Sequence, residues 1–286
     1  MITILCGESV INNFIYVDKF VKGQKCNTSN KFRVFGGKGL NLAKFLSGLN
    51  EKVCLIGFKA GENGDFIDKE ITNNNVLSLL IEVEGNTKEN TIIIDNDNKT
   101  EFISMGPKLK KEDIILFEDV FEEVIEKTDL LICSGDIMDG LENTFYNKYI
   151  GRANERNIYT IIDSSNFYLE TVIKIFPKFV FIDEKALSDL NSTMISTYDD
   201  IVENSRMLIS RGVESVLVTT KKFELLYISK KDIYKIDDNY KSKKSLDLYN
   251  ELLLAGYING IINKKSISES LKIAITYAKS NFEYVI

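Results

Sequence analysis

The chain has 286 residues, with 36 basic and 42 acidic side chains, a formal charge of −6 and 44% hydrophobic residues. Its 2 prolines and 17 glycines exclude a disordered or collagen-like chain, and its length suits one large α/β domain or two smaller ones. The sequence contains no histidine, which excludes Ser-His-Asp and Cys-His catalysis and every metal site that needs imidazole.

The acidic balance predicts no nucleic-acid partner, because phosphate contacts need clustered lysine and arginine. The short lysine runs at 108–111 and 241–244 lie beside acidic residues, as is typical of solvated surface. No apolar run approaches the roughly 18 residues of a membrane span, and the N-terminus reads as a strand. Three of the four cysteines lie in apolar runs without CxxC spacing, so we expect reduced thiols and a cytoplasmic protein.

Hydrophobic periodicity predicts strands that alternate with helices. We expect strands at Ile2–Cys6, Val53–Phe58, Leu130–Cys133, Tyr159–Asp163, Phe179–Ile182 and Val216–Thr219. We expect helices at roughly 39–49, 64–74, 112–127, 142–156, 199–210, 246–263 and 267–279. This order favours right-handed βαβ crossovers and therefore a doubly wound, mostly parallel α/β sheet.

Two pairs of short strands break this alternation, since no helix separates their members. The pairs are Phe14–Tyr16 with Lys31–Phe35, and Thr91–Ile94 with Thr100–Ser104. We expect them to form a small, mostly antiparallel sheet that covers a crevice as a lid or pairs with a second subunit. The whole chain, 1–286, is then one domain, with the lid strands inserted at roughly 12–35 and 86–105.

The strongest local signal for binding is the glycine-rich stretch FGGKGLNLAK at 35–44. Three glycines end a strand and open an amphipathic helix, so backbone amides and a helix N-terminus face a potential anion. Lys38 adds a charge and Asn41 a polar group one turn later. The alternative is a glycine turn that only lets strand and helix pack, because the spacing matches neither a Walker A loop nor GxGxxG.

The stretch GGKGLNLAKFLSGL resembles the first signature of the ribokinase/PfkB superfamily of sugar kinases, and most of all its 1-phosphofructokinase and tagatose-6-phosphate kinase branch. Further similarity lies in VDKF at 17–20, in GF at 57–58 through Gly61, in NTKEN at 86–90 (TRxN in the family), in SGDIMDG at 134–140 (SGSLPPG) and in AGYING at 255–260. The resemblance implies a ribokinase-like fold whose small β lid, the clasp, joins a homodimer.

This family transfers the γ-phosphoryl group of Mg-ATP to a hydroxyl of a sugar or sugar phosphate. The resemblance therefore implies ATP and Mg as cofactors, and a ketohexose phosphate of the fructose 1-phosphate or tagatose 6-phosphate type as partner. The substrate positions that it implies are Asn12, Gly37, Lys38, Gly39, Asn41, Lys88 and Asn90. Lys38 and Lys88 would hold the phosphate and the three asparagines the sugar hydroxyls, with asparagine at 12 and lysine at 88 where the family has aspartate and arginine.

The catalytic segment departs from the family pattern. Counting back from AG at 255–256 places Leu248, Tyr249, Asn250 and Glu251 on the family's GAGD motif. Glu251 then replaces the catalytic aspartate, but both glycines of the anion hole are lost, and their replacement by side chains would crowd a close backbone approach. The alternative is a solvent-facing helix carboxylate at Glu251; Asp247 is a weaker candidate for the base.

Two further nucleotide motifs are eroded. The family's NxxE falls near Glu184 and Leu187, and Lys221 and Glu224 replace glycines in the turn after Thr219. Glu184, Thr219 and Lys221 remain the candidate nucleotide contacts, since a lysine can meet phosphates as a point charge. The alternative is a polar hairpin turn between two strands.

Two weaker features complete the candidates. Asp163, Ser164 and Ser165 end a central strand at the edge where open α/β sheets bind ligands, or else cap a helix that starts near Asn166. Gly256 and Gly260 lie four residues apart and favour close packing of the last two helices.

Three functions are compatible with these patterns. The first is an ATP-dependent kinase for a ketohexose phosphate with Glu251 as proton acceptor. The second is a catalytically inactive descendant that binds or senses a sugar phosphate, favoured by the better survival of the sugar-side residues. The third is an NAD-linked dehydrogenase, disfavoured because the first strand does not lead into GxGxxG.

Overall fold

The computed structural model describes residues 1–96, 98–164, 166–221, 224–237 and 246–282, with the backbone alone for 166–168 and 246–247. Its strands are β1 (Ile2–Cys6), β2 (Val10–Val17), β3 (Thr28–Gly36), β4 (Val53–Lys59), β5 (Leu77–Glu82), β6 (Lys88–Ile94), β7 (Lys99–Phe102), β8 (Leu130–Ser134), β9 (Tyr159–Asp163), β10 (Phe179–Asp183), β11 (Ser215–Thr219), β12 (Glu224–Ser229) and β13 (Ile233–Asp237). Its helices are α1 (Lys38–Gly48), α2 (Gly61–Asn73), α3 (Lys111–Ile125), α4 (Phe145–Glu155), α5 (Asn166–Ile173), α6 (Glu184–Asn191), α7 (Tyr198–Ser210), α8 (Leu246–Ile262) and α9 (Ile267–Phe282).

The large sheet has the strand order β13-β12-β11-β10-β9-β8-β1-β4-β5. All pairs from β11 to β5 are parallel, and β12 and β13 extend the sheet as an antiparallel hairpin. Along β1, Ile2 and Ile4 pack into one apolar core and Leu5 into the other, so helices cover both faces of the sheet. The predicted doubly wound, mostly parallel α/β fold is confirmed.

All six predicted core strands and all seven predicted helices are present, but the sequence reading missed several elements. It did not place β5, β13 or α6, and it gave α5 and β12 only as alternatives, as a helix that starts near Asn166 and as a hairpin after Thr219. Helices α5 and α6 have only 8 residues each, too few for a helical period to stand out. Strands β5 and β13 are the two edge strands of the sheet, and they keep exposed positions and so lack a continuous apolar run.

The predicted second, small sheet is confirmed, with the strand order β3-β2-β6-β7. Its outer pairs are antiparallel, but its central pair, β2 with β6, is parallel. The reason is that both strands leave the large sheet at the same edge and run outward together, with Val10 opposite Lys88 at their start. We call this sheet the lid.

The base of the lid is fixed to α2 by a polar network. Arg33 of β3 donates a hydrogen bond to Asn63 of α2, and its guanidinium lies 4.8 Å from the ring centre of Phe66. Asn63 in turn donates to Glu89 of β6 at 3.2 Å and to the Thr87 carbonyl at 2.9 Å. These contacts hold the strands that carry the candidate substrate residues against the core.

The last two helices pack in close contact, as the glycine spacing predicts. A Cβ at Gly256 would lie 2.7 Å from the Cα of Ala274, and one at Gly260 would lie 2.7 Å from the Cα of Ser270. Real Cβ atoms do not approach backbone so closely, so both positions require glycine for the packing of α8 on α9. The helices of the described residues include none with the length and apolar character needed to cross a membrane.

Candidate functional site

The strand order of the large sheet reverses between β1 and β8, and we call the region outside the carboxyl ends of these strands the crevice. Open α/β sheets bind their ligands at such switch points. A Cβ at Gly7, just after β1, would lie 2.8 Å from the Asp136 carbonyl and 2.9 Å from the Tyr146 hydroxyl. That hydroxyl accepts from the Gly7 amide and donates to the Ser134 carbonyl, both at 3.0 Å. The loops after β1 and β8 are therefore held in a fixed arrangement.

Helix α1 begins at this crevice because the glycines before and inside it permit a tight turn. Gly37 has a φ of +104°, in the region that favours glycine, and is the N-cap of α1. A Cβ at Gly39 would lie 2.9 Å from the Cβ of Cys6, so glycine lets the first turn of α1 approach β1. Lys38 is thereby brought to the edge of the sheet, and the half-buried Asn41 follows one turn later.

Lys38 forms an ion pair with Asp163, the last residue of β9. Its amine lies 3.1 Å from one carboxylate oxygen of Asp163, and the Ser134 hydroxyl donates to the other oxygen at 2.9 Å. The Asp163 side chain is 2% exposed and that of Lys38 is 37% exposed. Burial lowers the pKa of Lys38, but the nearby carboxylates of Asp163, Glu251 and Asp136 outweigh it, so the pKa is raised above its usual value.

Glu251 is buried, with only 2% of the residue exposed to solvent. The interpretation of a solvent-facing helix carboxylate is therefore wrong. Its charge contributes to the raised pKa of Lys38, which brings Glu251 into the same electrostatic environment as Lys38 and Asp163. The side chain of Asp247, the weaker candidate for the base, lies outside the described residues.

The segment that corresponds to the GAGD motif is helical throughout, because α8 begins at Leu246. Only the amides of a helix's first turn lack an acceptor within the helix, so those of Asn250 and Glu251 are engaged in intrahelical hydrogen bonds. The Tyr249 side chain is 3% exposed and its ring meets that of Phe282 edge-on at 5.3 Å. The residues that replace the glycines thus build helix and core.

On the lid side, Asn12 of β2 and Asn90 of β6 are directly opposite each other, and the side-chain amide nitrogen of Asn90 donates to the side-chain oxygen (Oδ1) of Asn12 at 3.3 Å. Lys88, on the same face of β6 as Asn90, pairs with Glu8. Burial raises the pKa of Glu8, an effect that the Lys88 amine opposes and that Asp136 and Asp139 reinforce. Both lysines assigned to phosphate therefore have a carboxylate partner.

The three candidate nucleotide residues meet at the ends of β10 and β11. The carboxylate of Glu184, the first residue of α6, accepts a hydrogen bond from the backbone amide of Lys221 at 3.1 Å. Thr219 is buried at the end of β11, and Lys221 is exposed in the following turn. Glu184 thus supports the turn that joins β11 to β12, and residues 222–223 of that turn lie outside the described residues.

The sequence alone assigned no site role to four residues of this crevice, Glu8, Ser134, Asp136 and Asp139, although the loop 134–140 carries part of the family resemblance. Glu8 immediately follows β1, and the other three belong to the loop 134–140. Their position after the two strands that flank the switch point is the signal that identifies them, because polar residues at that edge face the crevice.

The profile of a known family matches most of this chain. The family is described as pfkB family carbohydrate kinase, and the match covers residues 2–245. The chain belongs to the pfkB family of carbohydrate kinases. The matched range ends before α8, so this assignment rests on residues other than Glu251 and its neighbours.

Solved structures of other proteins share this fold along nearly the whole chain. Phosphofructokinase-2 from Escherichia coli, in complex with substrates and products, has a TM-score of 0.89 at 17% identity, over 97% of this chain and 91% of that one. A protein from Thermotoga maritima described as a possible 1-phosphofructokinase has a TM-score of 0.84 at 21% identity, over 97% and 90% of the two chains. A tetrameric inhibited form of the E. coli enzyme has a TM-score of 0.86 at 18% identity, over 97% and 92%.

Two sets of groups that the family resemblance would assign to Mg-ATP or to the transferred phosphoryl group are already engaged within this chain. The amides at 250–251 are engaged within α8, and the Glu184 carboxylate is engaged with the Lys221 amide. We therefore derive no phosphoryl-transfer step for this chain.

Proposed function

We propose that the protein binds a carbohydrate between the lid and the α/β core and does not phosphorylate it. The observation that carries this proposal is the helical conformation of residues 248–251, in which the amides of Asn250 and Glu251 are engaged within α8 and so cannot serve an anion hole. Phosphoryl transfer is catalysed mainly by positioning and by charge stabilisation, so the loss of these donors removes the principal catalytic device.

The carbohydrate side supports the proposal, because its polar groups converge from both layers. Asn12 and Asn90 contribute amides from the lid, and Lys38 and Asn41 contribute an amine and an amide from α1. Gly37 and Gly39 allow α1 to begin beside β1. Hydroxyl groups of a sugar act as both donors and acceptors, so a mixed set of amides, amines and carboxylates suits them.

Calorimetric titration of Mg-ATP tests this proposal. We expect no binding heat up to about 1 mM Mg-ATP, the upper end of common enzyme KM values, with or without a carbohydrate present. We expect at least one carbohydrate from a panel of ketohexoses, pentoses and their phosphates to raise the melting temperature. Mg-ATP binding together with turnover of a panel member would overturn the loss of catalysis.

An ATP-dependent kinase with Glu251 as the proton acceptor is the second candidate. The burial of Glu251 beside Lys38 favours it, since a buried carboxylate near a substrate hydroxyl is the usual arrangement for a general base. In that case Glu251→Gln removes turnover while leaving carbohydrate affinity nearly unchanged. Fructose 1-phosphate and tagatose 6-phosphate are then the acceptors to test first. We propose a cytoplasmic location for such a kinase.

We further propose that the lid joins two copies of the chain. Phe14, Phe32 and Ile92 are register partners and lie on one face of the lid, and the rings of Phe14 and Phe32 are 5.6 Å apart. We expect a dimer in sedimentation equilibrium and a monomer for Phe32→Glu, because a charge would be buried at the contact. Lys31→Glu, on the opposite face of the same strand, is the control and should remain dimeric; a monomeric parent protein would contradict the proposal.

A further inference from the structure

The amine of Lys88 is neutralised where a sugar phosphate would need it. Both carboxylate oxygens of Glu8 accept hydrogen bonds from it, at 3.0 and 3.1 Å. The two side chains are 18% and 22% exposed, so this pair is partly shielded from solvent. An incoming phosphate would have to displace Glu8 from Lys88 or lie against a second negative charge.

The amine of Lys38, the second lysine assigned to a phosphate, is also paired with a carboxylate. Lys38 is bound to Asp163, and Glu251 and Asp136 add further negative charge around it. Asp136 also acts on Glu8, together with Asp139. Carboxylates therefore outnumber lysines in this crevice. Two amines face five carboxylates, those of Glu8, Asp136, Asp139, Asp163 and Glu251, so the net charge of these side chains is negative.

The loop after β8 contributes to this balance through residues that differ from the pattern that it resembles. In SGDIMDG at 134–140, aspartates stand at the positions of the second serine and the second proline of SGSLPPG. Both aspartates are exposed toward solvent. Their charges would repel a phosphate dianion, whereas carboxylates accept hydrogen bonds from neutral hydroxyl groups.

We propose that the carbohydrate bound by this chain is an unphosphorylated sugar or polyol, and that Glu8 is the residue that excludes phosphorylated ligands by occupying Lys88. This inference rests on the proposed carbohydrate binding. It replaces the expectation of a ketohexose phosphate, because the lysines on which that expectation depended are already paired with carboxylates.

The test compares matched ligands on the wild-type protein and three variants. The probes are fructose and ribose, fructose 1-phosphate, fructose 6-phosphate and ribose 5-phosphate, and inorganic phosphate, each measured by calorimetry and by thermal shift. The variants are Glu8→Gln, the double variant Glu8→Gln with Lys88→Met, and Glu84→Gln. The last is the matched control, because Glu84 also pairs with a lysine, Lys110, but on the exposed surface.

We expect the wild type to bind an unphosphorylated sugar more tightly than the same sugar with a phosphate. Glu8→Gln should strengthen phosphate and sugar-phosphate binding by about tenfold or more, because a neutral amide leaves the Lys88 charge available. The double variant should lose that gain, and Glu84→Gln should match the wild type. A circular dichroism melt of each variant confirms that it is folded.

Two results would overturn this inference while leaving carbohydrate binding intact. One is a wild-type preference for a sugar phosphate over its unphosphorylated form, and the other is unchanged sugar-phosphate affinity in a folded Glu8→Gln variant. If neither these probes nor any other carbohydrate of the wider panel binds to the wild type, the proposed function itself fails, and the inference fails with it.

Discussion

Lys38→Met is expected to lower the free energy of unfolding by about 2 kcal/mol, because it leaves a buried carboxylate without its charged partner. The Asp163 carboxylate is nearly inaccessible to solvent, and in the wild type it contacts the Lys38 amine and the Ser134 hydroxyl. In the variant the Ser134 contact remains and the Lys38 contact is lost. We place the loss below that of a fully buried pair, because Lys38 itself is about one third exposed. The same variant should bind carbohydrate more weakly, since the amine also lies at the crevice. Urea denaturation and calorimetry measure the two effects.

Two further variants distinguish the loss of the Lys38–Asp163 ion pair from the general effect of replacing a lysine. Lys69→Met removes an exposed amine from α2 and should leave stability within about 0.5 kcal/mol of the wild type. Adding Asp163→Asn to Lys38→Met should restore part of the loss, because no unpaired charge then stays buried. Because the pKa of Lys38 is raised above the ordinary lysine value of about 10.4, its amine is charged in the wild type at both pH 6 and pH 9, and a loss of stability should be seen at both. Equal stability of the Lys38 and Lys69 variants would contradict this account.

Gly260→Ala is expected to destabilise the protein by about 2 kcal/mol, although alanine normally favours a helix. The new methyl group would lie 2.6 Å from the Ser270 hydroxyl oxygen and 2.7 Å from its Cα. A backbone atom cannot turn aside as a side chain can, so α8 and α9 would have to separate. Because α8 carries Glu251, this separation should also disturb the crevice. Thermal and urea unfolding measure the stability.

The control for this prediction is Gly151→Ala in α4. A Cβ there would meet only the Ile175 side chain, at 3.7 Å, which is an ordinary contact. We expect that variant to be as stable as the wild type or more stable by up to about 1 kcal/mol, from helix propensity. If both alanine variants behave alike, the close approach of α8 and α9 is not what requires glycine at position 260.

The fold was predictable because its strongest signals are local. Apolar runs such as 53–58 and 130–133 can be buried only as core strands, and the helical periods between them leave few topologies open. The parallel pairing of β2 with β6 was not predictable, because those strands are separated by more than 70 residues and their direction depends on where each leaves the core.

The candidate site was predictable only in part. The glycine-rich turn at 36–39 marked the start of α1 at the crevice, because glycine permits the positive φ and the close approach that the turn requires. The ion-pair partner of Lys38 could not be predicted from the sequence, because Asp163 and Lys38 are 125 residues apart in the chain and meet only in the folded protein.

The sequence by itself determined the α/β class, the lid strands, the family resemblance and the loss of glycine from the segment 248–251. All of these follow from residue types at short spacing, where steric and hydrophobic preferences act directly on the backbone. Only the tertiary structure decided that Glu251 is buried, that α8 runs through that segment, and that Glu8 and Asp163 neutralise Lys88 and Lys38. Burial and charge pairing depend on distances between remote parts of the chain, and those distances exist only after folding.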